Sequence, residues 1–288
     1  MNEMIIGQNE AGQRLDRLVL RHLGRPSRVF VHKMLRKKRI LVNGARAEGS
    51  HMLAVGDVVK FYISREIAPA KVYPKGFVDI IYEDEDMLLA NKPAGLLTQP
   101  NEAGGDSLIG RIISRAASDS FAPVAINRLD RNTTGLVICA KNLSTAQTLS
   151  KMLHDRTIQK VYLAVAQGEI REKMTLTGAH AKHGATNTAK ITPDGKGREA
   201  ITQIAPLNYL ISKNLTCLKI YLRTGRSHQI RAHLQSIGHP LLGDAKYGGG
   251  RDAARQLLHA YEVKFPDGRS FAADLPADMA DYFEGVAY

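Results

Sequence analysis

One carboxylate set between two guanidinium groups is the first chemistry this sequence offers. In INRLDRNTTGLVICAKN, residues 126–142, Asp130 stands between Arg128 and Arg131. The apolar run from Leu136 to Ala140 just after it predicts a buried strand. At the lip of such a strand a carboxylate can be oriented and still be reached, which suits a nucleophile or a base. A second charged-on-apolar stretch, CLKIYLRTGRSHQIRAHLQSIGHPLLGDAKYGG, occupies residues 217–249. It predicts a strand over Cys217–Leu222, a turn at Thr224-Gly225 and a helix capped by Ser227. Ile230, Leu234 and Ile237 share the buried face, and Gly238 and Pro240 stop the helix. His228 and Arg231, three apart, share another face. Arg226 and Arg231 then lie at or near a helix N-terminus, an end already partly positive, so both need an anion. Asp244 is assigned to fixing its own loop, which leaves Arg231 without an anionic partner in this stretch. A pair between Arg231 and Asp130 satisfies both charges. By spacing and charge alone, an ordinary ion pair stitching a loop to a helix remains the simpler account.

The strand KVYLAVAQG places Val161, Leu163 and Val165 on one face and Tyr162, Ala164 and Ala166 on the other. The tyrosine ring therefore sits among small side chains that leave room beside it. His228 and His233 are five apart with no cysteine near, a poor metal pattern, so no metal is expected. YGGGRD, Tyr247 to Asp252, has neither phosphate-loop nor dinucleotide spacing and reads as a flexible loop. Lys92, ahead of a proline in NKPAG, reads as an exposed loop lysine.

Around these segments the chain is strongly basic, 40 Lys and Arg against 28 Asp and Glu over 288 residues, which points to a polyanion such as nucleic acid. The excess is concentrated at the start. Up to Ser64 there are twelve Lys and Arg against five acids. Leu15, Leu18, Val19 and Leu23 follow helical spacing, Gly24 and Pro26 end that helix, and Ser27 caps a second one. On the second helix Arg28, His32 and Arg36 lie four apart, Lys33 and Lys37 lie beside them, and Arg36, Lys37, Lys38 and Arg39 run on together. Such density needs an anion, so Arg28, Lys33, Arg36, Lys37, Lys38 and Arg39 are the candidate phosphate contacts. Asn43-Gly44 signals a hairpin turn, and AVGDVVKFYI supplies a further strand. Cys139 and Cys217 read as small core residues. The opening MNEMIIGQNE lacks the apolar core of a leader and no stretch is long enough to span a membrane, so a cytoplasmic monomer with no membrane partner is expected.

From Arg14 to Phe61 the helical pair, the KRILVNG turn and GDVV resemble the S4 RNA-binding domain. NRLDRNTTGLVICAK and TGRSHQIRAHLQSIGHPLLGDAKYG, with KVYLAVAQG, NKPAGLL and LLHAYEVKFP in the same order, resemble the signature segments of the RluA-type pseudouridine synthases. The resemblance runs from about Val78 to Pro266. It implies an α+β fold with a mixed, mostly antiparallel central sheet, behind a small S4-like module. The divisions expected are 1–64 for the RNA-binding domain, 65–76 for the linker and 77–288 for the catalytic domain.

The same resemblance implies that Asp130 is the catalytic aspartate, attacking the ribose or the base of a target uridine. Tyr162 is the tyrosine packed on the uracil, and Arg231 the arginine paired with the aspartate. Arg128 helps hold the flipped-out nucleotide, with Arg226 and His228 as further substrate contacts. No cofactor is implied. The expected partner is structured RNA, with ribosomal RNA of the large subunit favoured and transfer RNA the alternative. The rival is a non-catalytic RNA-binding or ribosome-assembly factor that keeps the fold. Two departures stand out: Asn127 replaces the usual histidine before Arg-Leu-Asp, and Thr134 replaces a serine.

Overall fold

A computed structural model describes residues 2–23, 28–63, 76–100, 105–116, 121–183, 188–192 and 197–288. Two sheets are present among the described residues. The first is built from β1 (Asn2–Ile5), β2 (Ile40–Val42) and β3 (Val58–Phe61) in the order β1-β3-β2, with helices α1 (Leu15–His22) and α2 (Arg28–Arg36). The apolar spacing read in the sequence is the packing observed: Leu15, Leu18, Val19 and Leu23 are buried with Val31, Leu35, Val59 and Phe61. Each such side chain contributes about 1.5–3 kcal/mol on burial. β1, pairing from Asn2 with Phe61 to Ile5 with Val58, has no counterpart in the sequence reading.

Asn43 and Gly44 take φ of 51° and 78° and close a tight turn between Val42 and Ala45. The turn signal holds, but the sheet partner of β2 is β3, and the Asn43 side chain accepts a bond from the backbone of Val58 at 2.8 Å. Gly24, Pro26 and Ser27, read as helix stop and cap, and most of the linker lie outside the described residues.

The second sheet has eleven strands. In chain order they are β4 (Asp79–Glu83), β5 (Met87–Lys92), β6 (Val124–Ala125), β7 (Thr134–Ala140), β8 (Gln159–Gln167), β9 (Met174–His183), β10 (Thr188–Thr192), β11 (Arg198–Leu210), β12 (Leu215–Leu222), β13 (Leu258–Lys264) and β14 (Ser270–Ala272). The helices are α3 (Leu108–Ala116), α4 (Leu143–His154), α5 (Gln229–Ser236) and α6 (Ala277–Ala280). The order is β10-β9-β11-β12-β8-β13-β7-β5-β4, with β14 beside β13 and β6 beside β7. Among the described strands all pairs are antiparallel except β13 with β7.

The alternation along β8 is observed. Tyr162, Ala164 and Ala166 enter the core shared with α3 and α5, while Leu163 and Val165 enter the one beneath α6. β7 is buried along its whole length. It can approach β13 closely only because Gly135 has no side chain: at φ +107° an added Cβ would stand 2.3 Å from the carbonyl oxygen of Ala260.

Two helix caps differ from expectation. Asn142, rather than Ser144, caps α4 by accepting from the Thr145 N–H at 2.8 Å. The residue before α5 is His228 in the left-handed region, φ 57°, rather than Ser227. The Gln229 side chain takes over, its Oε1 accepting from the Arg226 N–H at 3.0 Å and the Thr224 hydroxyl at 2.8 Å. No helix among the described residues is long and apolar enough to cross a membrane.

Candidate active site

Asp130 lies in the loop between β6 and β7, and four anchors hold that loop. The Thr98 hydroxyl donates to the Leu129 carbonyl at 3.0 Å and accepts from the Leu129 N–H at 3.1 Å. Asn127 lies against β7, its Oδ1 accepting from the Ile138 N–H at 2.8 Å. A neutral amide at this position therefore does useful structural service where the resemblance expects histidine. Arg255 donates to the carbonyls of Asn132, Gln256 and Leu258 at 3.0–3.2 Å while Asp278 grips its other edge at 2.7 and 2.8 Å.

The fourth anchor is Lys92, and it corrects the reading of this residue as exposed. Its side chain is wholly buried, and Nζ donates to the carbonyls of Pro93, Leu96 and Arg131 at 2.8, 2.8 and 3.0 Å. Burial pulls the amine down to about 7, against the opposing pull of the nearby Asp130 charge.

Neither neighbouring arginine pairs with Asp130. Arg131 turns away to donate from Nε to the Gly95 carbonyl at 2.9 Å, and Arg128 is exposed at the cleft wall. The partner is Arg231 in the first turn of α5, whose guanidinium donates to Asp130 Oδ2 at 3.2 Å. The same guanidinium donates to both oxygens of Asp244, Nε at 2.6 Å and the second terminal nitrogen at 2.7 Å. Arg231 thus has an anionic partner within its own stretch, and Asp244 does more than hold a loop. Burial works against the charge of Arg231, and the two carboxylates more than offset it.

The segment after Asp244 is packed rather than loose, a second correction. Gly249 lies so close to Leu241 that an added Cβ would stand 1.7 Å from its carbonyl oxygen. Tyr247 is buried, with the Arg231 guanidinium 4.6 Å over its ring. Its hydroxyl accepts from the Ala189 N–H at 2.7 Å and meets His228 Nδ1 at 3.1 Å. The other imidazole nitrogen of His228 stands 3.7 Å from Asp130 Oδ1, and burial is the main cause that lowers the basicity of this histidine. His233 faces elsewhere, meeting the Thr202 hydroxyl at 2.7 Å.

Asp130, Tyr162, Arg231, Arg128, Arg226 and His228 all line one cleft of about 730 Å³. Burial, reinforced by the Asp130 charge, holds the Tyr162 phenol well above its usual range, so it stays protonated. The other candidate contacts lie on the small module. Lys33, Arg36, Lys37, Lys38 and Arg39 are exposed there. Lys38 takes φ 55° as α2 ends, and the Arg39 N–H closes back on the Met34 carbonyl at 3.0 Å. Arg28 opens α2, but its side chain lies outside the described residues.

A cleft with one clamped carboxylate and one buried tyrosine, in a chain that opens with a small basic module, fits an RNA-modifying enzyme. A family model described as RNA pseudouridylate synthase matches residues 86–236, and one for the S4 domain matches residues 13–59. An uncharacterized RNA pseudouridine synthase of Bacillus subtilis, YhcT, is 30% identical, covering 91% of this chain and 88% of its own. The ribosomal large subunit pseudouridine synthase D of Escherichia coli K12 is 30% identical, covering 97% and 92%. The human RNA Pseudouridylate Synthase Domain Containing 1 shares the fold, with a TM-score of 0.59 at 24% identity over 75% of this chain and 89% of that one. The chain belongs to the RNA pseudouridylate synthase family, of RluA type with an S4 domain, and is an isomerase.

Proposed function

We propose that the chain converts uridine to pseudouridine in large-subunit ribosomal RNA, with Asp130 as nucleophile. The observation that carries this reading is the carboxylate of Asp130, fixed in the cleft by a guanidinium that is itself clamped by Asp244. Asp130 attacks the target nucleotide and the glycosidic bond breaks. The uracil turns and is rejoined to the ribose through carbon 5, the bond to Asp130 is released, and carbon 5 loses its proton while N1 gains one. Atoms and electrons balance without an external reactant. Tyr162, a protonated phenol among small side chains, supports the uracil. Arg128 at the cleft wall helps hold the nucleotide out of its stack. The exposed run from Arg36 to Arg39 grips the RNA backbone, and the functional division falls at 1–64, 65–76 and 77–288. The choice of ribosomal RNA rests on the relatives named for the large subunit.

The test is tritium release from carbon-5-labelled uridine in ribosomal RNA from cells lacking the enzyme. Wild type should release tritium. Asp130→Asn should bind the same RNA and release none, because a neutral amide does not attack. Turnover by Asp130→Asn would remove Asp130 from the nucleophile's role. Silence of wild type on ribosomal and transfer RNA alike would favour a non-catalytic binding factor.

A further inference from the structure

Two lysines stand near the candidate active site, Lys92 wholly buried and Lys160 half-buried, and they are treated very differently. Lys92 has three carbonyl acceptors. Lys160 lines the same cleft as Asp130 and makes no hydrogen bond or ion pair among the described residues. The Lys160 side chain is half-buried and its ammonium has no protein acceptor among the described residues, so it is free to take an anion that arrives from outside. We infer that Lys160 binds a phosphodiester of the RNA strand beside the target uridine, against the β8 wall of the cleft. This deepens the isomerase reading and rests on it.

Three observations point the same way. Lys160 and Tyr162 are two apart on β8 and share its cleft face, with backbones about 7 Å apart. A base resting on Tyr162 thus brings its sugar-phosphate backbone within a lysine's reach. The ammonium faces bare backbone at Gly225: a Cβ added there would stand 3.3 Å from Nζ. Gly225 needs no left-handed conformation, so what its missing side chain leaves is room at the ammonium.

Finally, among the described residues the charged groups lining this region are, Asp130 apart, cationic or imidazole, though His154 meets Asp155 and Arg156 meets Glu199. Arg128 and Arg226 come from the cleft loops, His154 from α4, and Arg156 and Arg223 from an adjoining hollow that Lys160 also lines. Asp130, the acid among the described cleft residues, is engaged by Arg231. Burial alone lowers the Lys160 amine to about 8, with no carboxylate opposing it.

The experiment compares wild type, Lys160→Met and Lys160→Arg by steady-state tritium release and by RNA-binding titrations over a salt series. Loss of one charge-assisted phosphate contact should raise KM about tenfold in Lys160→Met. The slope of log affinity against log salt should shrink by about 0.7–0.9. Lys160→Arg should restore the slope. Wild-type KM should also rise above pH 8 as the amine loses its proton, relative to Lys160→Arg, which stays charged. A wild-type KM and salt slope in Lys160→Met would overturn the inference, leaving a lysine that merely covers apolar surface. So would Lys160→Arg being as impaired as Lys160→Met. Silence of wild type in the tritium assay would instead count against the isomerase reading, and the binding titrations would still decide Lys160.

Discussion

Asp244→Ala is the sharpest perturbation of the clamp. It removes two of the three hydrogen bonds of the Arg231 guanidinium, those at 2.6 and 2.7 Å, and leaves the bond to Asp130 at 3.2 Å. Arg231 and Asp244 are both almost wholly buried, so water does not replace what is lost. Two charge-assisted bonds represent about 3–6 kcal/mol, and breaking a buried pair costs about 3–5 kcal/mol. A loss of about 4 kcal/mol is therefore expected. In a chain of this size it lowers Tm by roughly 8–16 °C. The freed guanidinium then follows Asp130 alone, and an error of about 1 Å in the nucleophile's position costs about a hundredfold in kcat. KM should change far less, because the cleft walls remain.

The control is Asp244→Ala combined with Arg231→Met. The thioether replaces the charge over the Tyr247 ring, so much of the stability should return while activity stays low. Thermal melts and tritium release read both quantities. Near-wild-type Tm and kcat in Asp244→Ala would refute the claim that Asp244 holds the arginine that holds Asp130.

Two further outcomes are expected. Replacing Arg36, Lys37, Lys38 and Arg39 together by glutamine should reduce the salt slope of RNA binding by about 3, at 0.7–0.9 per lost phosphate contact, with little effect on Tm; titration at several salt concentrations checks this. His259, fully buried between the Thr134 hydroxyl at 2.8 Å and the Ala273 carbonyl at 3.1 Å, is held at about 4 by burial, below the ordinary 6.5. The unfolded chain therefore takes up the proton first. Its contribution is present above pH 6.5 and lost as pH falls toward 4, by about 3 kcal/mol at the limit. Melts across that window should show the decline, and His259→Gln should flatten part of it.

The parts of the site that sequence reading reached are those whose chemistry is local. Asp130 sits at the lip of an apolar run, Tyr162 on the small-residue face of an alternating strand, and Arg231 at a helix start where a cation needs an anion. Each fact is legible within about ten residues. What it missed depends on reach. Asp244 lies thirteen residues from Arg231, and only the packed turns around Gly249 bring it back under the guanidinium. Lys92 reads as exposed because a proline follows it, yet its acceptors include a carbonyl 39 residues away. Lys160 carried a signal in its two-residue offset from Tyr162. The strands β9, β10 and β11 lay outside the sequence reading altogether, and β1 is a four-residue edge strand whose partner is more than fifty residues distant.

The parallel insertion of β13 between β7 and β8 has a consequence for synthesis of the chain. When a ribosome has just completed α5, every described side chain of the cleft but Leu258 exists, and the strand that joins the two halves of the sheet does not. Arg255, which grips the loop after Asp130, is also still to come. At about 5–20 residues per second, the interval from Asp130 to the end of β13 is on the order of ten seconds. From the completion of β8 until β13 follows, β7 and β8 present open ladder edges that chaperones or neighbouring nascent strands can reach. The enzyme's vulnerable period is thus fixed by its strand order, and mutations that weaken β13 should reduce yield from translation before they reduce the activity of molecules that finish.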